Sequence, residues 1–323
     1  MLKIGSLSLK SNLILSPMAG ISDLPFRALN RRFGAELAFV EMINARSASY
    51  KNKKTRQMLK STAQDQPLGV QLLGCEPKFI SQALEALQGC SFDILDFNAA
   101  CPAKKVVRRG EGAALLREPK KLKQILRLVV KNSSLPVTVK IRIGWDRDSI
   151  NAREVALHAQ DSGVSGIFIH GRTKLQGYSG GVDYQAIRKV KESLEVPVIA
   201  SGNILSAELA ARMLGETGCD GLAVARGALG NPWIFREIAA RLEGDGLPGA
   251  PDKKEIAQVM AGHLKECVDF YGERVGVVIF RKFFAWYTRG FRKVRPLRER
   301  SSRARTQGEM LSIIRQGCGS PND

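Results

Sequence analysis

Eight short apolar runs recur along the first 230 residues, each followed by a helical or polar segment, and this alternation restricts the fold more than any other feature of the chain. They are Leu13–Met18, Ala38–Met42, Leu68–Leu73, Ile94–Phe97, Val137–Ile143, Gly166–His170, Val198–Ser201 and Gly221–Val224. Near-continuous stretches such as Val198-Ile199-Ala200 suit parallel strands covered on both faces. Between them, Pro77–Leu87, Lys120–Val130, Arg153–Ser162 and Ala207–Leu214 carry helical spacing. Eight such units predict an α/β fold, a closed (β/α)8 TIM barrel with its chemistry at the carboxyl ends of the strands. Residues 1–242 supply the barrel. Residues 243–252, with three glycines and two prolines in Glu243–Pro251, read as a linker. Residues 253–323 show only helical patterns, over Lys254–Tyr271, Arg274–Tyr287 and Thr306–Arg315, and predict an all-α domain.

The fourth run leads into the stretch with the most chemistry, ILDFNAACPAKKVVRRGEG from Ile94 to Gly112. Pro102 has no N–H to give a ladder, so the chain leaves the sheet there. Cys101 then stands at the lip of a barrel strand. A lone cysteine is more often a small buried hydrophobe, and the basic loop behind it, with Lys104, Lys105, Arg108 and Arg109, favours a functional reading without settling it. The other strands also end in polar or small residues. Gly202 after the seventh strand and Gly227 with Arg226 after the eighth suit a phosphate site, or, taken singly, plain tight turns. Lys140, inside the apolar run VTVKIRIG, either faces the barrel mouth or pairs with an interior anion such as Glu41. His158 and His263 fall in helical stretches and receive no role.

Charge bounds the partner. The 323 residues carry 50 Lys and Arg against 31 Asp and Glu, a formal charge of +19 that favours a polyanion, nucleic acid before membrane. Cations concentrate in three places. Arg46 to Gln64 has six and no acid, the Cys101 loop is the second, and Arg281 to Arg305 has ten against one Glu. The last is interleaved with Phe283, Phe284, Trp286, Tyr287 and Phe291, a mixture able to stack bases and neutralise phosphates, or to pack its rings on the barrel and solvate its charges. Six scattered cysteines without a CxxC pair fit a reducing cytoplasm and no metal site. No signal peptide and no membrane span are expected.

Taken in order, SPMAGISDLPFR from Ser16, VQLLG from Val70, DFNAACP from Asp96, GEGAALL from Gly110, VKIRIGWD from Val139, IHGRT from Ile169, SGNI from Ser201 and ARGALGNPW from Ala225 resemble the tRNA-dihydrouridine synthases, in particular their bacterial B-type branch. The resemblance spans nearly the whole chain, and the ordered set is specific where any one member is weak. It implies an FMN-dependent enzyme that uses NADPH to reduce uridines in tRNA, acting as a cytoplasmic protein and expected to be a monomer. Pro17, Met18 and Ala19 would line the flavin ring. Gln71, Lys140 and His170 would hydrogen-bond it, Gly202 and Asn203 with Ala225 and Arg226 would hold its phosphate, and Ser201 would belong to the same cofactor site. Asn98 and Arg172 would contact the target nucleotide. The hydride would go from the reduced flavin to uracil C6 and the proton from Cys101 to C5. Two positions depart from the family pattern: Ala100 stands where glycine is usual, and Asn203 where aspartate is usual.

Cationic neighbours lower a thiol pKa, whereas an acid at C5 needs its proton. The loop cations Lys104, Lys105, Arg108 and Arg109 are therefore expected to point toward RNA phosphates. Two other readings stand beside this one. An FMN barrel dehydrogenase acting on a free pyrimidine would give the basic tail no task, and a non-catalytic RNA-binding barrel would have no use for Cys101, Lys140 and His170.

Overall fold

The computed structural model describes residues 1–49 and 53–318. Its centre is a closed ring of parallel strands: β1 (Leu13–Leu15), β2 (Leu37–Phe39, resumed at Ile43–Asn44), β3 (Leu68–Leu73), β4 (Ile94–Asn98), β5 (Val137–Arg142), β6 (Gly166–His170), β7 (Val198–Ser201) and β8 (Gly221–Val224). Each pairs with its sequence neighbour, and Leu222 of β8 lies opposite Leu13 of β1 to close the ring. The predicted barrel is therefore observed. β1 stops three residues short of the predicted Met18, which frees Ser16, Pro17 and Met18 to bend over the barrel mouth.

Side chains alternate across each strand with period two. On β4, Leu95 and Phe97 join the large core between barrel and helices, while Ile94 points into the barrel. Ile14, Leu37, Phe39, Phe168, Ile199 and Ala223 fill the inner layer with it. Phe39 meets Phe168 edge-on at 5.6 Å, and Gly69 leaves the room this needs, since a Cβ there would lie 2.2 Å from the Phe39 ring. The barrel floor is sealed by an N-terminal hairpin not read from the sequence, Leu2–Ile4 paired with Leu7–Leu9, whose Leu2, Ile4 and Leu9 enter the same cluster. With the floor closed by hydrocarbon, the opposite end is left for chemistry.

The outer helices are α1 (Leu24–Arg32), α2 (Pro77–Leu87), α3 (Pro119–Lys131), α4 (Ala152–Gln160), α5 (Tyr184–Lys191), α6 (Ala207–Thr217) and α7 (Ile234–Glu243). Residues 244–252 form no helix or strand. Four helices follow, α8 (Lys253–Tyr271), α9 (Glu273–Tyr287), α10 (Arg295–Arg303) and α11 (Gln307–Cys318). α10 escapes sequence detection because RPLRERSSR is polar almost all round and offers no apolar stripe.

The helical region is docked on the barrel by aromatic rings. Phe283 of α9 stacks on Phe26 of α1 at 5.5 Å, His263 of α8 lies 6.2 Å from the same Phe26 ring, and Tyr287 of α9 meets Trp233 edge-on at 6.4 Å. Phe283, Phe284 and Tyr287 are buried. The interleaved aromatics of the tail therefore serve its core, which corrects the base-stacking expectation for these three. Among the described residues no helix is long and apolar enough to cross a membrane.

Candidate active site

At the carboxyl end of the strands lies a cavity of ≈ 470 Å³. Every residue expected at the flavin, from Pro17, Met18 and Ala19 through Gln71, Lys140 and His170 to Ser201, Gly202, Asn203, Ala225 and Arg226, lines it. So do Cys101 and Asn98. Residues from most of the strand ends thus converge, because β3, β4, β5, β6 and β7 each place their last inward positions at the mouth and the loops after β1 and β8 fold across it.

Cys101 sits on a loop held by side chains of two strands. Asn98 Oδ1 accepts from the Ala100 and Cys101 amides at 3.0 and 2.9 Å. Arg142, buried on β5, donates to the Ala100 carbonyl at 2.8 Å and to the carbonyls of Thr173 and Gly177 at 2.9 and 2.8 Å. It ties the cysteine loop to the loop after β6. Ala100 does not adopt a left-handed conformation, so the turn has no need of the glycine usual there.

Burial pushes the Cys101 thiol above its ordinary pKa, outweighing the opposing pull of the Ala103 amide and of Arg142. The thiol is protonated at neutral pH. Lys104, Lys105 and Arg108 lie exposed outside the cavity, and Arg109 pairs with Glu111 at 2.9 Å. The conflict anticipated between a cationic loop and a protonated acid is settled by desolvation, the largest influence on the thiol.

Lys140 faces the mouth. Burial lowers its pKa and the Asp96 carboxylate opposes that shift. Glu41, the anion expected for it, instead accepts from the Gly20 amide. His170 is buried with its Nδ1 lacking a partner among the described residues. Burial, and then Arg142, Lys140, Arg172 and Arg226, push its pKa down to about 2, so it stands neutral with one ring N–H to donate.

On the far side, Gly202 has φ +124°, a conformation few other residues adopt, and a Cβ on Gly227 would lie 2.1 Å from the Ile204 carbonyl oxygen. Asn203 takes the left-handed φ of +51°, which asparagine tolerates, and its Oδ1 accepts from Arg226 at 3.1 Å. A neutral amide therefore orients Arg226 without cancelling its charge. An unpartnered buried imidazole, a lysine at the mouth and a glycine-built corner with an arginine form a set of donors for a flat, hydrogen-bonding group carrying a phosphate. FMN fits that description.

Arg172 is placed differently. It is buried and donates to the carbonyls of Ser179 and Gly180 at 2.9 and 2.6 Å, and it does not line the cavity. Arg142 and Tyr178, assigned no role from the sequence, also line the cavity. Arg142 shares strand parity with Lys140, the available clue. Tyr178, on the loop after β6, has Arg226 and Arg142 near its ring at 5.1 and 5.4 Å and His170 edge-on at 6.3 Å. Nothing local in LQGYSG foretells that position. The described residues include no cluster of His, Cys, Asp and Glu suited to a metal ion.

The basic segment before β3 is partly committed elsewhere. Arg46 pairs with Glu76 at 2.6 Å and lies over the Phe79 ring at 4.4 Å, while Lys60 is exposed. Lys51, counted in that patch, falls outside the described residues. In the tail, Arg281 and Arg298 are engaged on the Ala304 and Thr288 carbonyls, leaving Arg289, Arg292 and Lys293 together on an exposed turn.

The family model for dihydrouridine synthases matches residues 14–318. A Rickettsia conorii protein named probable tRNA-dihydrouridine synthase is 43% identical over 294 residues, covering 90% of this chain and 88% of that protein. The tRNA-dihydrouridine synthase B of Pseudomonas aeruginosa is 39% identical over 315 residues, 97% of this chain and 95% of that protein. Among solved structures, the BexX/CysO complex from Amycolatopsis orientalis is similar in fold alone, with a TM-score of 0.51 at 15% identity over 77% of this chain and 98% of that chain. With a barrel whose mouth gathers the motif residues and a family match running almost from end to end, the chain belongs to the dihydrouridine synthase family, alongside relatives of the B type.

Proposed function

We propose that this protein reduces the 5,6 double bond of uridine in tRNA, with FMN in the barrel mouth and NADPH as the source of reducing equivalents. The observation that carries the reading is the Cys101 thiol, kept protonated by burial at the edge of a cavity whose other wall is built from flavin-type donors. When bound, FMN would supply a hydride to uracil C6.

The chain's own part is to hold the base and deliver a proton. As C6 gains its hydride, negative charge collects at C5, and the Cys101 sulfhydryl passes its proton there and is left as thiolate. Arg142, close enough to act on the sulfur's charge, eases that step, and solvent restores the proton afterwards. Asn98 keeps the loop seated. Lys140 and neutral His170 would donate toward the flavin, and Gly202, Asn203 and Arg226 would hold its phosphate. The pyrimidine must leave its stack to arrive, which costs a few kcal/mol that phosphate contacts offset. Arg289, Arg292 and Lys293, with the exposed Lys104, Lys105 and Arg108, supply candidate contacts.

This division of labour assigns residues 1–242 to catalysis and residues 253–323 to RNA binding, joined by residues 243–252. Purified protein should carry about one FMN per chain. It should form dihydrouridine in unmodified tRNA when NADPH is added. Colourless protein that FMN does not reconstitute, or flavoprotein inert toward tRNA, contradicts the proposal.

A further inference from the structure

Below the cavity a buried carboxylate governs the orientation of two amides above it. Thr138 Oγ1 and Gln71 Nε2 donate to Asp96 at 2.8 and 2.7 Å. Gln71 Oε1 accepts from Asn98 Nδ2 at 2.8 Å, and Asn98 Oδ1 accepts from the Ala100 and Cys101 amides. Strand register makes the chain possible, because Gln71 lies opposite Asp96, and Asp96 opposite Thr138, with all three side chains inside the barrel.

We propose that Asp96 is a positioning residue that sets the polarity of this relay and thereby seats Cys101, an inference whose functional meaning rests on the reading above. The reason is donor and acceptor count. An amide turned by 180° keeps its shape and exchanges its donor for its acceptor. An ionised carboxylate accepts only, so Gln71 must point its nitrogen down and its oxygen up. Asn98 must then point its nitrogen toward Gln71 and its oxygen toward the cysteine loop. Turned round, Asn98 would set its NH2 against two backbone N–H groups, and the loop would lose both bonds. The carboxylate at the base thus decides where the thiol stands, two side chains away.

Polarity is testable by reversing it. In Asp96→Asn the base group can donate as well as accept, so the relay loses its fixed sense. In the double variant D96N/N98D the carboxylate moves to the top. The new amide at the base would then donate to Gln71 Oε1, and Gln71 Nε2 would donate upward to the relocated carboxylate. That carboxylate would still accept from the loop amides.

Residue-resolved hydrogen–deuterium exchange on the whole protein, with neither flavin nor RNA added, reads those amides directly. Asp96→Asn should speed exchange at Ala100 and Cys101 about tenfold, the weight of a lost hydrogen bond, with β4 and β5 amides unchanged. The double variant should return to the wild-type rate. Unchanged exchange in Asp96→Asn, or a double variant exchanging as fast as the single, overturns the proposal. If Asp96→Asn does not fold, Gln71→Met carries the test, since cutting the relay at its middle must free the same two amides and unchanged rates would again overturn it. A protein that shows these shifts and yet never reduces uridine would contradict the functional reading while supporting the relay.

Discussion

The Tyr271 hydroxyl, at the end of α8, donates to Asp23 at 3.0 Å, and Asp23 is the residue that caps α1 by accepting from the Phe26 amide. Asp23 closes the loop from Ser16 to Ser22 whose first residues line the cavity. Lys282 of α9 donates to the Gly20 carbonyl in the same loop. The helical region therefore buttresses one wall of the cavity, and the two parts of the chain form one mechanical unit at that point. Removing the hydroxyl in Tyr271→Phe should cost about 1 kcal/mol of stability, measured by urea unfolding. No loss would mean that Asp23 is satisfied without it.

The aromatic seam predicts a larger effect. Phe283 is fully buried between Phe26 and His263, so Phe283→Ala should lose about 3–5 kcal/mol. Barrel and tail should still unfold in a single transition, followed by tryptophan fluorescence and circular dichroism together. Two separated transitions would show that the tail docks loosely.

These two relationships mark the limit of what the sequence discloses. The barrel was legible because eight apolar runs with helical spacers leave few other folds, and the cavity residues because each motif ends a strand. Cys101, Lys140 and His170 could be placed at the mouth for that reason. The roles of the tail aromatics could not, since a helix dense in rings and cations satisfies both an RNA face and a packed seam until the facing residues of α1 are known. Arg172 shows the same limit. It follows His170 at a strand end, where its guanidinium donates to the Ser179 and Gly180 carbonyls and keeps Nη1 without a partner among the described residues. Asp96 and Thr138 were overlooked although they share strand parity with Asn98 and Lys140, a period-two signal that needs register to become a contact.

His263 makes the seam sensitive to acid. Burial, with Arg32 and Lys282 near, pushes its folded pKa down to about 3 from an ordinary 6.5. Between those values the unfolded chain holds a proton that the folded protein refuses, so stability present above pH 6.5 is lost as pH falls toward 3, by about 1.4 kcal/mol per unit. His170 acts in the same direction. Asp96, raised from 3.8 to about 6, acts against them and gains stability as it protonates. The site-specific prediction is that His263→Gln, compared with wild type by urea unfolding at about pH 7.5 and about pH 5, shrinks the difference in stability by about 2 kcal/mol. An equal difference in both proteins would assign the acid sensitivity elsewhere.

Arg289, Arg292 and Lys293 stand exposed on the turn after α9. If they meet RNA phosphates, replacing all three by alanine should weaken tRNA binding. It should also lower the slope of log affinity against log salt by about 0.7–0.9 for each contact removed, leaving cofactor content unchanged. Filter binding over a salt series checks this, and an unchanged slope would place the RNA on another face.

The proton on Cys101 is the centre of the account, and a single turnover tests it. Reduced, cofactor-loaded Cys101→Ala protein, mixed with unmodified tRNA, should bind RNA and cofactor as the wild type does. It should form dihydrouridine at least about 100-fold more slowly, the usual loss when a general acid is removed. Dihydrouridine appearing at the wild-type rate would show that C5 takes its proton from another group.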